Sequence, residues 1–495
     1  MNIRIPAPAA RIIRTLEDAG YEAYIVGGCV RDSLLKKEPK DWDITTSARP
    51  DEVKALFPRT IDTGIKHGTV TVRTGGTGYE VTTYRVDGDY ADHRHPDAVT
   101  FTGRLSEDLE RRDFTINAMA YNERAGLVDL FGGQEDLANR VIRAVGDPHR
   151  RFEEDALRMM RAVRFSAQLD FTVEEETRAG IRELAPTLSA VSAERIREEL
   201  EKLLLSDHPE KLEELWELGL TGVFLPEFDA MMATEQHNPH HCYDVGRHTI
   251  AALRKAVEIG HRRDDPACFP GGGTPADGSA FSAENGTARA GETASRSEEE
   301  RDRILRLALL LHDIAKPLMK TTDAQGIDHF KGHPKRGAEL AGTILRRLKE
   351  DNRTIARVKN LITWHDLRPE SDPVTVRQTA ARVGQEDFSL LLDVMEADVS
   401  GQSTYLQQEK LTRLQEIRAE WQRIREAGEA VSLGDLAVTG SDLIAAGMQP
   451  GPAIGEKLHE MLCEVLREPA HNTKEWLIRR FVGKRAAEEL PGDET

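Results

Sequence analysis

The chain has 495 residues, enough for roughly three domains, and carries 67 Lys plus Arg against 85 Asp plus Glu, a formal net charge of −18. That balance excludes a surface coated in basic charge, but leaves room for a local basic groove that takes phosphates. Its four cysteines (Cys29, Cys242, Cys268 and Cys463) form no CxxC pair and no zinc-type spacing, which fits a reduced, intracellular protein. The N-terminus has no signal-peptide pattern, and the longest apolar run, around 305–311, is far below the ~20 residues of a membrane span. The expectation is a soluble, cytoplasmic protein with no membrane partner.

Residues 7–18 have helical spacing, with Ile12, Ile13 and Leu16 on one face. Tyr24 to Val26 reads as a short buried strand, followed by Gly27, Gly28 and a helix-compatible segment from Cys29 to Leu35. Asp41 and Asp43 sit two apart on a second β-like run, which points both carboxylates to one face. Residues 51–57 fit a short helix started by Pro50. Thr69 to Val72 and Glu80 to Tyr84 are alternating strands around a Gly75-Gly76-Thr77-Gly78 hairpin turn. Residues 86–104 form a polar loop long enough to expect a function, and Leu127 to Leu130 is a further short strand. Residues 1–145 thus alternate strands and helices around one small sheet.

From about residue 147 the pattern is helical almost to the end, giving an α+β chain with an all-α body. Phe152 to Leu169 reads as one helix, Ser192 as the cap of another, and 404–427 as a long charged helix. The stretch from Gly447 to Gly455 reads as a turn between the last two helical segments. Residues 262–300 are rich in Gly, Ser, Ala and Glu with almost no large apolar residue, the composition of a disordered insertion. Arg140, Arg143, Arg150 and Arg151 are candidates for following nucleic-acid phosphates.

The first constellation concerns phosphoryl transfer. With Glu80 as a third carboxylate, Asp41 and Asp43 would hold two Mg²⁺ ions that bind a nucleoside triphosphate and activate an attacking hydroxyl. Gly27 and Gly28 would let the backbone approach the phosphates, and Arg31 and Arg112 would neutralise them. The segments Gly-Gly-Cys-Val-Arg-Asp from residue 27, Asp41-Trp-Asp43, Glu80-Val-Thr-Thr-Tyr-Arg85 and Arg111-Arg-Asp-Phe-Thr-Ile-Asn117-Ala-Met-Ala resemble the bacterial tRNA nucleotidyltransferases. These are the CCA-adding enzymes of the polymerase-β-like superfamily. The resemblance covers the first 210 residues and implies a polymerase-β-like palm with a small mixed sheet. It implies that Asp41 and Asp43 hold the metals and that Gly28, Arg31 and Arg112 contact the triphosphate. The segment around Asp113 and Asn117 would serve ribose and triphosphate.

Glu154-Asp155-Ala-Leu-Arg158 reads as helical, with Asp155 and Arg158 on one face. Asp offers acceptors and Arg donors, which together match the Watson–Crick edge of cytosine and, after a small movement, adenine. The resemblance makes Asp155 and Arg158 a protein template for CTP and ATP, and Arg161 and Arg164 nucleotide contacts. It also makes the 86–104 loop an element of the final A addition. The implied reaction is addition of C, C and A to the 3′ end of tRNA, held by its acceptor arm. The alternatives are A-only addition, CC-only addition and poly(A) synthesis.

A second constellation follows an apolar helix from Ile304 to Leu311. The order His248, His312-Asp313, His333, His365, Asp398 on successive helices resembles the HD phosphohydrolase superfamily. The resemblance implies that His248, His312, Asp313 and Asp398 hold one divalent ion, with His333 and His365 on a second or on phosphate. Mixed nitrogen and oxygen ligands suit a transition metal or Mg²⁺. Lys316, one turn on, is placed to meet a phosphate oxygen. The expected activity is hydrolysis of 2′,3′-cyclic phosphates or phosphomonoesters. The expected domains are a palm at 1–145, a nucleotide-selecting and RNA-binding neck at 146–225, an HD domain at 226–400 and a tRNA-binding tail at 401–495.

Overall fold

The computed structural model describes residues 3–87, 99–264 and 287–483. The chain divides into two compact units, residues 1–229 and 230–495. The first opens with α1 (Ala7–Asp18), β1 (Ala23–Val26), α2 (Gly28–Leu34), β2 (Ile44–Thr46) and α3 (Pro50–Leu56). It continues through β3 (Thr60–Gly64), β4 (Thr69–Thr74), β5 (Thr77–Thr83), β6 (Arg85–Asp87), β7 (Val99–Phe101) and α4 (Leu105–Glu110) to β8 (Met119–Asn122), β9 (Gly126–Asp129) and α5 (Gly133–Asn139).

Seven of these strands form one sheet in the order β3-β4-β5-β2-β1-β8-β9. The β2–β5 pair is parallel and the other neighbours are antiparallel, so the sheet is mixed. Ile25, Val26 and Ile44 in its central strands are buried, as continuous apolar strands covered on both faces must be. α1 buries the expected stripe of Ile12, Ile13 and Leu16. At the β4–β5 turn Gly75 and Gly76 both take positive φ, 61° and 87°, the geometry that two-residue hairpins require.

Next come β10 (Val141–Ile142), α6 (Pro148–Glu154), α7 (Leu157–Leu169), β11 (Thr172–Val173), α8 (Glu175–Leu184), α9 (Ala193–Leu204), α10 (Leu212–Glu217), α11 (Thr221–Phe224) and α12 (Pro226–Met232). The helix expected from Phe152 to Leu169 is two helices. Asp155 breaks it with extended backbone, φ −146° and ψ 103°, and its carboxylate accepts the Leu157 N–H at 3.1 Å. A short acidic side chain offers the backbone a partner that competes with helical bonding. Ser192 stands at the start of α9 as expected, but its hydroxyl makes no capping bond.

The second unit holds α13 (Val245–Asp264), α14 (Thr287–Leu311), α15 (Lys316–Met319), a small hairpin of β12 (Thr321–Thr322) and β13 (Asp328–His329), α16 (His333–Arg347), α17 (Asn352–Trp364), α18 (Pro373–Val383), α19 (Gln385–Ser400), α20 (Gln407–Glu426), α21 (Gly440–Ala445), α22 (Pro452–Arg467) and α23 (Lys474–Phe481). α13, α14, α17 and α19 pack together and bury Leu253, Leu309, Leu361 and Leu391 between them. Leu443, Met461, Val465 and Leu477 form a separate small core near the C-terminal end.

Composition misjudged the ends of the expected insertion. Residues 262–264 finish α13 and 287–300 belong to the long α14, because Glu, Ala and Arg are strong helix formers even without an apolar stripe. Its centre, 265–286, lies outside the described residues, as do 88–98 of the polar loop. The turn expected over 447–455 ends at Gly451, because Pro452 already starts α22; it joins α21 and α22, with α23 still to follow. No helix among the described residues is long and apolar enough to cross a membrane.

Candidate active sites

The sheet brings the first constellation together at one edge of β1, β2 and β5. β2 begins only at Ile44, so Asp41 and Asp43 lie in the segment entering the strand rather than within it. The Val26 N–H still bonds the Asp43 carbonyl at 3.0 Å, which holds Asp43 in line with β1. The parallel register Ile44↔Val81 then sets Asp43 level with Glu80. Asp43 is open to solvent by surface area, yet enough protein encloses it to raise its pKa. The Glu80 and Asp41 charges add to that rise, and together they outweigh the pull of Arg112. Three carboxylates that repel one another in this way form a donor set that suits a divalent cation.

Gly27 takes φ 79° as it opens α2, and a Cβ there would stand 2.8 Å from Arg112 Nη1. Arg112 therefore lies against the glycine turn beside the carboxylates. Gly28 follows with room to spare, its Cβ position 3.7 Å from Arg31 Nη2. Behind Arg112 stands Asp108, wholly buried. It pairs with Arg112 at 3.6 Å, with Arg111 at 2.7 Å and with the Thr45 hydroxyl at 3.0 Å. No sequence signal separates Asp108 from the other acids of a short helix.

A polar chain runs on from Arg31. Arg31 Nη1 donates to Asn117 Oδ1 at 2.8 Å, and Asn117 Nδ2 donates to Asp113 Oδ1 at 3.1 Å. Arg161 donates twice to Asp113 Oδ2, at 2.9 and 2.6 Å. Burial works against the Asp113 charge, but Arg161 and Asn117 hold its pKa far below the ordinary range. Arg31, Arg161 and Arg164 all face the Phe165 ring, at 5.1, 5.3 and 3.6 Å from its centre. Arg164 also donates to Glu199 at 2.6 Å.

The expected Asp155–Arg158 pairing on one helix face does not form, because the helix breaks at Asp155. Asp155 is instead held by Arg195 of α9, at 2.8 Å. Arg158 is buried and donates to Glu154 at 2.7 Å and to the carbonyls of Arg151 and Arg111 at 3.1 and 3.0 Å. It braces the loop carrying Arg111 and Arg112. Arg195 and Glu199 are thus partners from outside the Glu154-to-Arg158 motif. Their only signal was acids and bases at helical spacing, which is common on any surface. Arg140, Arg143 and Arg151 are each engaged with a carboxylate, of Asp170, Asp136 and Glu154.

The second constellation is a buried cluster in the second unit. His248, His312, Asp313, His333 and His365 are all buried. Each imidazole gives its Nδ1 to a backbone carbonyl: His248 to Gly401 at 3.2 Å, His312 to Leu309 at 2.7 Å, His333 to Phe330 at 2.8 Å and His365 to Ile362 at 2.7 Å. Every Nε2 is thereby turned towards Asp313. The distances from those Nε2 atoms to the nearer Asp313 oxygen are 3.6, 3.1, 3.3 and 3.8 Å. Asp398 lies 2.8 Å from His248 and 3.7 Å from His312.

Two triads, His248-His312-Asp313 and Asp313-His333-His365, have the spacing of metal ligands and share Asp313. His312 Nε2 is buried and faces the Asp313 and Asp398 carboxylates, at 3.1 and 3.7 Å. Ring nitrogens oriented by backbone carbonyls are how proteins present histidine to a metal, so these residues fit a divalent ion. Burial opposes the His312 imidazolium, but Asp313 and Asp398 lift its pKa to about 10. Burial, with the His312 charge beside it, lowers His365 to about 4. Lys316 does not point outward to a ligand: its Nζ sits 2.7 Å from Asp313 Oδ2 and 3.0 Å from Gln236 Oε1.

Four family models match parts of the chain, and the last two overlap. The poly A polymerase head domain matches residues 23–143, and the RNA and SrmB binding site of polymerase A matches 170–232. The HD domain matches 245–400 and tRNA nucleotidyltransferase domain 2 matches 334–481. A CCA-adding enzyme of Levilactobacillus brevis is 35% identical over 474 residues, 95% of this chain and 96% of that protein. One from Limosilactobacillus reuteri is 58% identical over 202 residues, 41% of this chain; in that alignment the chain spans half of the relative's length. The Bacillus stearothermophilus CCA-adding enzyme, solved in complex with CTP, superposes with a TM-score of 0.62 at 30% identity, covering 96% of this chain and 98% of that one.

Proposed function

Because the chain belongs to the CCA-adding enzyme family, we propose that it adds C, C and A to the 3′ end of tRNA from CTP and ATP without a nucleic-acid template. The observation that carries this reading is the meeting of Asp41, Asp43 and Glu80 beside the Gly27 turn that Arg112 lies against. Asp41 and Asp43 would hold Mg²⁺, with Glu80 as their neighbour. Bound there, Mg²⁺ would neutralise triphosphate charge and make the terminal tRNA hydroxyl a better nucleophile. Arg31 and Arg112 bind the triphosphate, and Gly27 and Gly28 keep side chains out of its path. Asp113 and Asn117 serve the ribose end of the site and hold Arg31 and Arg161 in place.

Base choice falls to Asp155, with its acceptor oxygens aimed by Arg195, and to the guanidiniums of Arg161 and Arg164. Arg158 supports them from behind by tying Glu154 to the Arg111 carbonyl. The division of labour is a palm over 1–145, a neck over 146–225, an HD domain over 226–400 and a tRNA-gripping tail over 401–495. The test is incubation with tRNAs ending before C, after C and after CC, each with single nucleotides. Addition should stop after CCA. A long A tail, or additions limited to CC or A, would replace this reading.

The convergence of four Nε2 atoms and two carboxylates supports a second activity, metal-dependent hydrolysis of 2′,3′-cyclic phosphates or phosphomonoesters. His248, His312, Asp313 and Asp398 would hold one divalent transition metal or Mg²⁺, and His333 and His365 a second. Bound metal there would supply an activated water. Release of phosphate or opening of 2′,3′-cyclic AMP by purified protein across several metals checks it. Silence with every metal would remove it.

A further inference from the structure

The helix that follows the HD domain in sequence reaches back into the same metal-ligand cluster. Gln402, just before α20, donates from Nε2 to both Asp398 oxygens at 3.2 Å. Lys410, on α20 itself, donates from Nζ to Gln402 Oε1 at 2.6 Å and lies 3.3 Å from His240 Nδ1. The Lys410 ammonium is therefore one amide away from the Asp398 carboxylate, and it is only half-buried. No carboxylate lies within ion-pair distance of it among the described residues, unlike Lys316 deeper in the cluster.

Two clefts open from this point. One, of about 440 Å³, runs from Asp313, His333 and His365 past Lys331 and Arg368 to Lys410. The other, of about 180 Å³, has a wall of Leu367, Pro369, Met395, Leu406, Leu414 and Ile417. They meet at His240, His365, Asp366, Arg368, Asp398, Gln402 and Lys410, where Arg368 stands 3.4 Å from Asp366. A cleft in which Lys331, Arg368 and Lys410 stand beside candidate metal ligands, joined to an apolar slot, has the chemistry of a phosphate site beside a base site.

We infer that Lys410 and Arg368 bind the phosphate of the HD-site substrate, and that the slot behind them takes its nucleobase, so that α20 is part of the hydrolase site. The substrate class is a nucleoside phosphate, free or at the end of an RNA, in preference to a phosphate ester without a base. This rests on the hydrolase reading and adds to it which residues outside the metal ligands choose the substrate. Lys410 and Arg368 place positive charge in the open cleft outside the buried ligands, and Gln402 orients Lys410 relative to Asp398.

The test is calorimetric titration of the Mn²⁺-loaded full chain with inorganic phosphate and with adenosine 3′-monophosphate. The component lost in His312→Ala defines binding at the HD site. In that component the nucleotide should bind more tightly than phosphate. Lys410→Ala should weaken both by roughly ten- to hundredfold, Lys410→Arg should restore most of the loss, and bound Mn²⁺ should be unchanged in both. Leu406→Ser, at an exposed position, should weaken the nucleotide alone. Equal phosphate affinity in wild type and Lys410→Ala, or a nucleotide no tighter than phosphate, overturns the assignment. If the binding pattern holds but no metal supports hydrolysis, the hydrolase reading falls and the two subsites stand. If hydrolysis proceeds with an unchanged KM in Lys410→Ala, the reverse is true.

Discussion

Arg161 grips a single oxygen of Asp113 with two nitrogens, at 2.9 and 2.6 Å. The partner oxygen of Asp113 is taken by the Phe114 N–H and Asn117. One buried carboxylate therefore ties α7 to the segment that carries Arg112.

That tie makes a prediction about pH. Asp113 has a folded pKa well below its unfolded one, so it contributes stability above the ordinary carboxyl pKa of about 3.9. The contribution is lost as pH falls through the depressed folded value. The gap in Tm between wild type and Asp113→Asn should be widest at neutral pH and should narrow steadily below about pH 4. A gap that stays constant with pH would mean that the Asp113 charge is not what the structure uses.

Asp43 and Asp41 should each be needed for nucleotide addition. Asp43→Asn keeps the size of the side chain and removes its charge. It should lower single-turnover CTP incorporation by about 10²–10³-fold or more, as loss of a group that stabilises developing charge does. The Tm should not fall, because Asp43 is crowded by like charges. A variant with normal incorporation would end the two-aspartate assignment.

Asp155 and Arg195 should act as one unit. Asp155→Ala and Arg195→Ala should each relax discrimination of CTP and ATP against UTP and GTP by roughly ten- to hundredfold, the value of one well-placed base contact. Affinity for the triphosphate group should change far less. The measurement is incorporation of each of the four nucleotides in competition. Unchanged ratios in Arg195→Ala would show that Asp155 needs no support from α9.

Gly27 and Gly28 should differ although they are adjacent. Gly27→Ala forces a side chain into positive φ and against Arg112. It should cost about 1–3 kcal/mol of stability and raise the KM for CTP. Gly28→Ala meets only an ordinary contact with Arg31 and, at the start of α2, should leave stability unchanged or raise it by up to about 1 kcal/mol. Chemical denaturation of the two variants decides between them.

The HD cluster should take up metal. Mn²⁺ at a hundredfold over its Kd should stabilise the wild type by about 2.7 kcal/mol relative to His312→Ala under the same conditions. Because His312 must lose a proton to act as a ligand and its pKa is lifted to about 10, uptake should release protons and weaken as pH falls. Equal Mn²⁺ stabilisation of both proteins would place the ion elsewhere.

Local pattern carried much of this molecule. The Ile12, Ile13 and Leu16 stripe, the Gly75-Gly76 hairpin and the apolar lead-in to His312-Asp313 were legible because their signals lie within one turn or one strand. The six HD residues could be named only from their order along the chain, which resembles a known superfamily. What the chain could not express locally was which charge meets which. Asp155 looked like a partner of Arg158, three residues away, but a single extended residue turned it towards Arg195, forty residues on. Asp108 and Lys410 carried no signal at all, because a buried carboxylate and a poised ammonium differ from solvated ones only in what long-range packing sets around them. Periodicity and motif order determined the elements and the chemistry on offer. Tertiary packing alone decided the partners, because the energy of a charge depends on its surroundings and those come from distant segments.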